Sequence, residues 1–364
     1  MRAAVAGGNG QPFVVTDVEI AEPIGREALI EIRASGLCHS DILQATTDFG
    51  LFEWPAVLGH EIAGVVTQVG PEVTDVAVGD HVAACLVQFC GTCTTCTSGR
   101  TYECQRPERT LRSSGQPPRL ARDGQPLTQG FGLGGFAEQA LVHENQLAVI
   151  NKDVPFAAAA LLGCAVVTGM GSVINAARVR PGDTVVVIGT GGVGLNAISG
   201  ASVSGAVQIV AVDIDDVKLE AARRFGATDV VNARTSDAVA AVRAITRGGA
   251  DHAFEVIGNE DTQAQAYAMT GQGGTAYFVG VAKPGSTVTV DSSLGVLHQR
   301  KNLSGLNMGH VNLKRDIPLY AKYFVQGRLN LDDLVTQEIA LHEINDAYES
   351  IKKGGIIRSV ITTF

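Results

Sequence analysis

Cys90, Cys93, Cys96 and Cys104 are spaced C-x2-C-x2-C-x7-C. Four thiolates in one short loop can close a tetrahedral zinc shell with no open position, which staples the loop and does no chemistry. An iron–sulfur cluster can also take four cysteines. Free thiols or disulfides are the third reading, and the regular spacing disfavours them. A second pattern, Gly189-x-Gly191-x-x-Gly194, follows the apolar run Thr184–Ile188 and opens an Ala/Gly-rich stretch through Gly192 and Val193. The first glycine permits a tight turn, the second lets backbone approach a pyrophosphate, and the third lets helix pack on strand. The helix N-terminus turns its positive dipole toward the phosphates. Asp213 ends the next apolar run, IVAVD, 19 residues after Gly194. A carboxylate there accepts hydrogen bonds from an adenosine ribose and repels a 2′-phosphate, so the pattern predicts NAD rather than NADP.

Cys38, His60 and Cys164 lie far apart, and spacing alone does not bring them together. If they meet, a Cys2His set leaves a fourth position open, the pattern of a catalytic zinc. Read singly, Cys164 is a core thiol and His60 caps a turn. Cys85 sits on an apolar run and reads as a small core residue.

These residues need elements to position them. The first half is strand and turn: FVVTDVEI, EALIEIRASG and GHEIAGVVTQVG are β-rich runs broken by Gly, Pro and Asp. From about Arg180, short apolar strands alternate with helical patterns, which implies a parallel doubly wound sheet. The end, IIRSVITTF, is an apolar strand that rejoins the first domain. Residues 107–130 are polar and rich in Gly and Pro, and read as a long surface loop. The 364 residues exceed what one hydrophobic core usually serves, so two domains are expected. A formal net charge of -9 without a basic run argues against nucleic acid or anionic membrane as partner. The N-terminus lacks the apolar core of a signal peptide, and no apolar run reads as long enough to span a bilayer. The expectation is a soluble, cytoplasmic protein.

The segment Gly59-His60-Glu61-x2-Gly64-x5-Gly70-x2-Val73 resembles the signature of the zinc-containing alcohol dehydrogenases of the medium-chain dehydrogenase/reductase family. The resemblance extends through GLCHSD, the four-cysteine loop, GCAVVTG, GTGGVG, FEVIG and the terminal IRSVI, and covers essentially the whole chain. It implies an α/β protein with a GroES-like β-rich catalytic domain (1–165 and 308–364) and a Rossmann NAD-binding domain (166–307). By similarity, Cys38, His60 and Cys164 hold a catalytic zinc, and Cys90, Cys93, Cys96 and Cys104 a structural one. Glu61 sits behind the metal, and Asp41 hydrogen-bonds the His60 ring and fixes its tautomer. Thr168 lies against the nicotinamide, Lys218 reaches the adenosine ribose, and Arg358 and His39 contact the pyrophosphate. Phe49 and Leu86 line the substrate cleft.

What the resemblance implies is reversible hydride transfer between NAD and an alcohol or aldehyde, with two zinc ions per chain. Zinc lowers the pKa of an alcohol oxygen at its open position, and Ser40 accepts that proton. Many relatives pass it on to a histidine five residues after the first ligand; here Leu43 stands there, so that exit is missing. The apolar Phe49 favours primary aryl, allylic or medium-chain alcohols over sugars. The alternatives are a thiol-adduct formaldehyde dehydrogenase of the same family, or a catalytically silent NAD-binding protein, which the intact ligand set disfavours. A zinc-free quinone reductase is disfavoured by the same ligands and by Asp213. The family forms homo-oligomers. The loop at 107–130 tips the expectation toward a dimer, with TAYFVGV and TVTVDSS as candidate sheet edges.

Overall fold

A computed structural model describes the chain except Asp48, Leu51, Gly354, Gly355 and the side chains of Lys352 and Lys353. It divides into two compact units, Met1–Cys164 with Val311–Phe364, and Ala165–His310.

The first unit is organised by the long strand Glu27–Gly36. Its β-branched and small residues alternate on a pleated surface. Ala28, Ile30 and Ile32 meet Ile62, Val66 and Val82 in one buried cluster. Glu61–Val69, Gln139–His143 and Ser359–Thr363 all pair antiparallel with this strand. The C-terminal strand thus closes onto the N-terminal half, with Val360 opposite Gly36. His81–Ala84, Leu147–Val149 and Gln337–Ala340 extend the sheet. Cys85 follows one of these strands, and burial pushes its thiol up to about 12, as befits a core residue.

The second unit is a six-stranded parallel sheet. Its order is Asp229–Asn232, Gln208–Asp213, Thr184–Ile188, Ala250–Glu255, Thr270–Phe278, Asn302–Gly305. The helices Gly192–Ser204, Asp216–Arg224, Ala238–Ile245 and Glu260–Met269 connect successive strands, the doubly wound arrangement that the alternating pattern predicts. The order reverses beside Thr184–Ile188, the switch point where such sheets bind ligands.

Three expectations need correction. Residues 107–130 are not a bare loop. They contain the strands Leu120–Arg122, Gln125–Pro126 and Thr128–Gln129, which pair with each other or with the first unit's strands. Neither TAYFVGV nor TVTVDSS is an edge strand. Thr275–Phe278 of TAYFVGV is flanked on both sides, by Ala250–Glu255 and by Asn302–Gly305, which is the outer strand. TVTVDSS forms no strand, its last residues opening the helical turn Ser292–His298. Finally, one helical run, Phe156–Ala177, is long and apolar enough to cross a membrane, with mean hydropathy 2.0. Its apolar 18-residue window is 89% buried inside the protein, so its hydrophobicity serves the core.

The 107–130 segment is held by a buried ion cluster. The Glu27 carboxylate accepts hydrogen bonds from Arg112 Nη2 at 2.6 Å and from Arg119 Nε at 2.8 Å. Burial alone would raise the Glu27 pKa, but the two guanidiniums outweigh it and hold the pKa below the ordinary value. Glu27→Gln leaves two buried cations without their anion and is expected to cost about 3 to 5 kcal/mol in urea unfolding. The folded-state pKa is depressed, so the wild-type contribution is complete above the ordinary glutamate value, about 4.3. It disappears as pH falls through the lower folded-state value. A variant as stable as the wild type at pH 7 would show that the cluster contributes nothing.

Candidate metal and nucleotide sites

Cys38, His60, Glu61 and Cys164 come together, all buried, with one ligand atom from each lying within 4.8 Å of the others. Strand pairing does most of this. Gly36 lies opposite Glu61, so Cys38, two residues beyond the strand, comes beside His60. Cys164 arrives on the helical segment Leu162–Val166 after the helix Phe156–Leu161. That segment can press against strand His81–Ala84 because residue 163 is glycine, whose Cβ would run into the carbonyl oxygen of Ala84.

The His60 ring is fixed from both sides. Asp41 Oδ1 lies 2.9 Å from Nδ1 and also accepts the Gly59 N–H at 3.2 Å. A carboxylate only accepts, so Nδ1 carries a proton, and Nε2 lies on the inner side, 3.2 Å from Cys164 Sγ. Arg358 Nη2 donates to Glu61 Oε1 at 3.0 Å and lies 3.7 Å from Cys38 Sγ.

Of these four groups Cys38 alone is pushed toward its anion, and the other three toward their protonated forms. A hydrogen bond from Cys164, opposed by burial and helped by Arg358 and His60, holds Cys38 well below the ordinary thiol value. The same bond and burial push Cys164 well above it. Burial would lower the His60 pKa, but Asp41 and Cys38 raise it well above normal. Burial lifts Glu61 to about 7 against the pull of Arg358. Glu61 Oε2 is buried with no hydrogen-bond partner among the described residues. Two sulfurs and one imidazole nitrogen fit a zinc that keeps a fourth position open, with the idle carboxylate oxygen beside it.

The four-cysteine loop also closes. All four sulfurs lie within 4.8 Å of one another, with Cys93 Sγ 3.3 Å from Cys96 Sγ and 3.9 Å from Cys104 Sγ. A tetrahedral shell with Zn–S bonds of about 2.3 Å sets its sulfurs about 3.8 Å apart. Cys93 N–H donates to Cys90 Sγ at 3.3 Å, and Cys90 N–H to Cys104 Sγ at 3.2 Å. The Thr95 hydroxyl and backbone donors bring Cys93 down to about 5. Against burial, the donors of Thr92 bring Cys90 to about 7. Burial and the neighbouring Cys93 push Cys96 to about 12. Such a mixture of thiols and thiolates becomes four thiolates when a dication enters.

A Cβ on Gly194 would collide with the Gly189 carbonyl, so helix and strand touch there. A Cβ on Gly191 would meet nothing within 4 Å, which leaves open space at the start of helix Gly192–Ser204. Among the described residues nothing crowds position 191, and glycine there would let a pyrophosphate approach the backbone.

Two family models match the chain: an alcohol dehydrogenase GroES-like domain over residues 25–152, and a zinc-binding dehydrogenase over residues 192–324. An S-(hydroxymethyl)glutathione dehydrogenase of Escherichia coli is 37% identical, with 99% of each chain aligned. The chain belongs to the zinc-dependent alcohol dehydrogenases of the medium-chain dehydrogenase/reductase family. Among solved structures of such proteins, benzyl alcohol dehydrogenase from Acinetobacter calcoaceticus is 35% identical, with TM-score 0.93 over 100% of this chain and 99% of that one. An alcohol dehydrogenase zinc-binding domain protein from Burkholderia ambifaria is 34% identical, with TM-score 0.94 over 99% and 98%. The cofactors of this alcohol dehydrogenase are zinc and NAD.

Within this dehydrogenase the remaining candidates are spread out. Ser40 is half-buried and His39 exposed in the first turn of helix His39–Thr46. Arg358, expected on the pyrophosphate, is buried and engaged with Glu61. The buried Thr168 donates its hydroxyl to Met308 Sδ at 3.5 Å, and Lys218 is half-buried on helix Asp216–Arg224. Phe49 lines a small depression with Gln44, Thr47, Phe52 and Trp54. Leu86 packs partly against the core cluster of the first sheet. The aromatic side chain that touches the metal group is Phe131, which sequence reasoning missed. Its ring stands edge-on to His60 at 5.6 Å, and Phe52 packs edge-on to Phe131 at 5.0 Å. Phe131 sits between Gly130 and Gly132 with φ 54. Glycines around an aromatic mark a turn, but nothing in their spacing points to His60.

Proposed function

We propose that this dehydrogenase interconverts primary aryl alcohols and their aldehydes with NAD. The observation that carries the substrate class is the aromatic run leading away from the metal group: His60, Phe131, Phe52 and Trp54 follow one another at 5.6, 5.0 and 6.5 Å between ring centroids. Edge-to-face rings beside the reacting end suit a flat apolar substituent. The named activity of the Acinetobacter relative supports the same class. The name of the Escherichia coli relative supports the alternative, a thiol adduct of formaldehyde. A charged adduct calls for free cations near the metal, yet Arg358 is buried and already paired with Glu61.

Zinc held by Cys38, His60 and Cys164 would supply a Lewis acid for the alcohol oxygen, and NAD the hydride acceptor. The chain's own groups do the rest. Asp41 keeps the His60 proton on Nδ1 and so keeps Nε2 available as a ligand. Glu61 and Arg358 balance charge behind the ligands without exposing either to water. Ser40 Oγ accepts the alcohol proton as its own hydroxyl proton moves on. Leu43 gives that proton no onward acceptor, so its exit runs by another path. The turn at Gly189–Gly194 receives the pyrophosphate, and Asp213 faces the adenosine ribose.

A substrate panel tests the class. Benzyl alcohol is expected to exceed hexan-1-ol and S-(hydroxymethyl)glutathione in kcat/KM by about tenfold or more, the scale set by filling an apolar pocket. A preference for the glutathione adduct would replace this reading with the alternative.

A further inference from the structure

The carboxylate at the end of strand Gln208–Asp213 is held by more than backbone. Asp213 Oδ1 accepts the N–H of Ile214 at 2.7 Å and of Asp215 at 3.1 Å. Asp213 Oδ2 accepts the N–H of Thr190 at 2.7 Å and also its hydroxyl at 2.8 Å. Thr190 is the second residue of the glycine turn and is completely buried. The two strands are neighbours, with Ile188 opposite Val212, so the hydroxyl reaches across a single strand gap. Four donors meet this carboxylate.

We propose that the Thr190 hydroxyl is a positioning group for cofactor choice. It locks Asp213 as a fixed negative charge at the adenosine end, so that a 2′-phosphate meets a carboxylate unable to turn aside. The proposal rests on the reading of Asp213 as the ribose partner. A carboxylate with one fewer donor on Oδ2 gains rotational freedom and an open acceptor site, and its charge becomes easier to displace. Backbone N–H groups are present whatever the side chain at 190. The hydroxyl is the one donor of the four that a substitution can remove.

The test is the ratio of NADPH to NADH dissociation constants, measured by isothermal calorimetry on the zinc-loaded protein. Wild type is expected to bind NADH more tightly. In Thr190→Val the ratio is expected to fall about tenfold, the size of a hydrogen bond to a charged group. Thr190→Ser restores the hydroxyl and is expected to keep the wild-type ratio. If the valine variant does not fold, Thr190→Ala carries the same comparison. A ratio unchanged in the variant overturns the proposal, including when both cofactors weaken equally because the turn has merely loosened. Tighter NADH binding in the variant overturns it too, since the hydroxyl would then compete with the ribose. A wild type that binds both cofactors equally removes the Asp213 reading itself, and the proposal with it.

Discussion

Ser40→Ala is expected to slow benzyl alcohol oxidation about a thousandfold, the middle of the range for losing a positioned proton acceptor. The residue lies in the first turn of helix His39–Thr46, two positions after Cys38. Alanine favours that helix at least as well as serine. Ser40 is not one of the grouped side chains Cys38, His60, Glu61 and Cys164. Zinc content and NADH affinity should therefore stay at wild-type values while kcat falls. Solvent hydroxide can partly replace the missing acceptor, so the variant's rate should climb more steeply with pH. Stopped-flow measurement of the hydride-transfer step reads both effects. Near-normal transfer in the variant would remove Ser40 from the proton path.

Cys164→Ala is expected to lower the zinc content from two to one per chain and turnover by more than about a thousandfold. That exceeds the 10- to 100-fold cost of losing an outer partner such as Asp41, because a ligand itself is gone. The protein-only structure already shows what the metal must do at this sulfur. Its hydrogen bond to Cys38, together with burial, holds Cys164 well above the ordinary thiol range, and a dication has to reverse that. The missing sulfur leaves a small gap, and the four-cysteine loop is untouched, so the melting temperature should move by a few degrees at most. Elemental analysis and circular dichroism on one preparation separate these effects. Retention of both zincs with wild-type turnover would show that Cys164 is only a core thiol.

What the sequence reveals follows from how local each feature is. The four cysteines fall within 15 residues and the glycine turn within 6, so spacing alone implies their geometry. The alternating strand and helix patterns from Thr184 onward are equally local, and the parallel sheet follows from them. The second metal group is different. It depends on Gly36 pairing with Glu61 and on Val360 pairing with Gly36, contacts between distant segments that periodicity does not specify. There, only the family resemblance brought Cys38, His60 and Cys164 together.

The 107–130 segment was misread for a related reason. Strands of two or three residues are too short to display a period. One signal was present: Asp123 and Gly124 have φ 52 and 71, and an Asp-Gly pair is a strong hairpin turn. Burial of Arg119 against Glu27 had no such sign, because a charged residue reads as surface until its partner is known. Phe131 and the Thr190 hydroxyl belong with these. Each acts through long-range contacts, and the sequence places none of them.

Transfer of a hydride from an aryl alcohol directly to NAD, with the aid of zinc, would leave an isotopic mark. Benzyl alcohol carrying two deuteriums on its carbinol carbon tests it in one reaction, read by mass spectrometry of the reduced cofactor. One deuterium is expected in every NADH formed by the two-zinc protein, and no NADH once a chelator has removed the zinc. NADH without deuterium, or undiminished transfer from zinc-free protein, would contradict it.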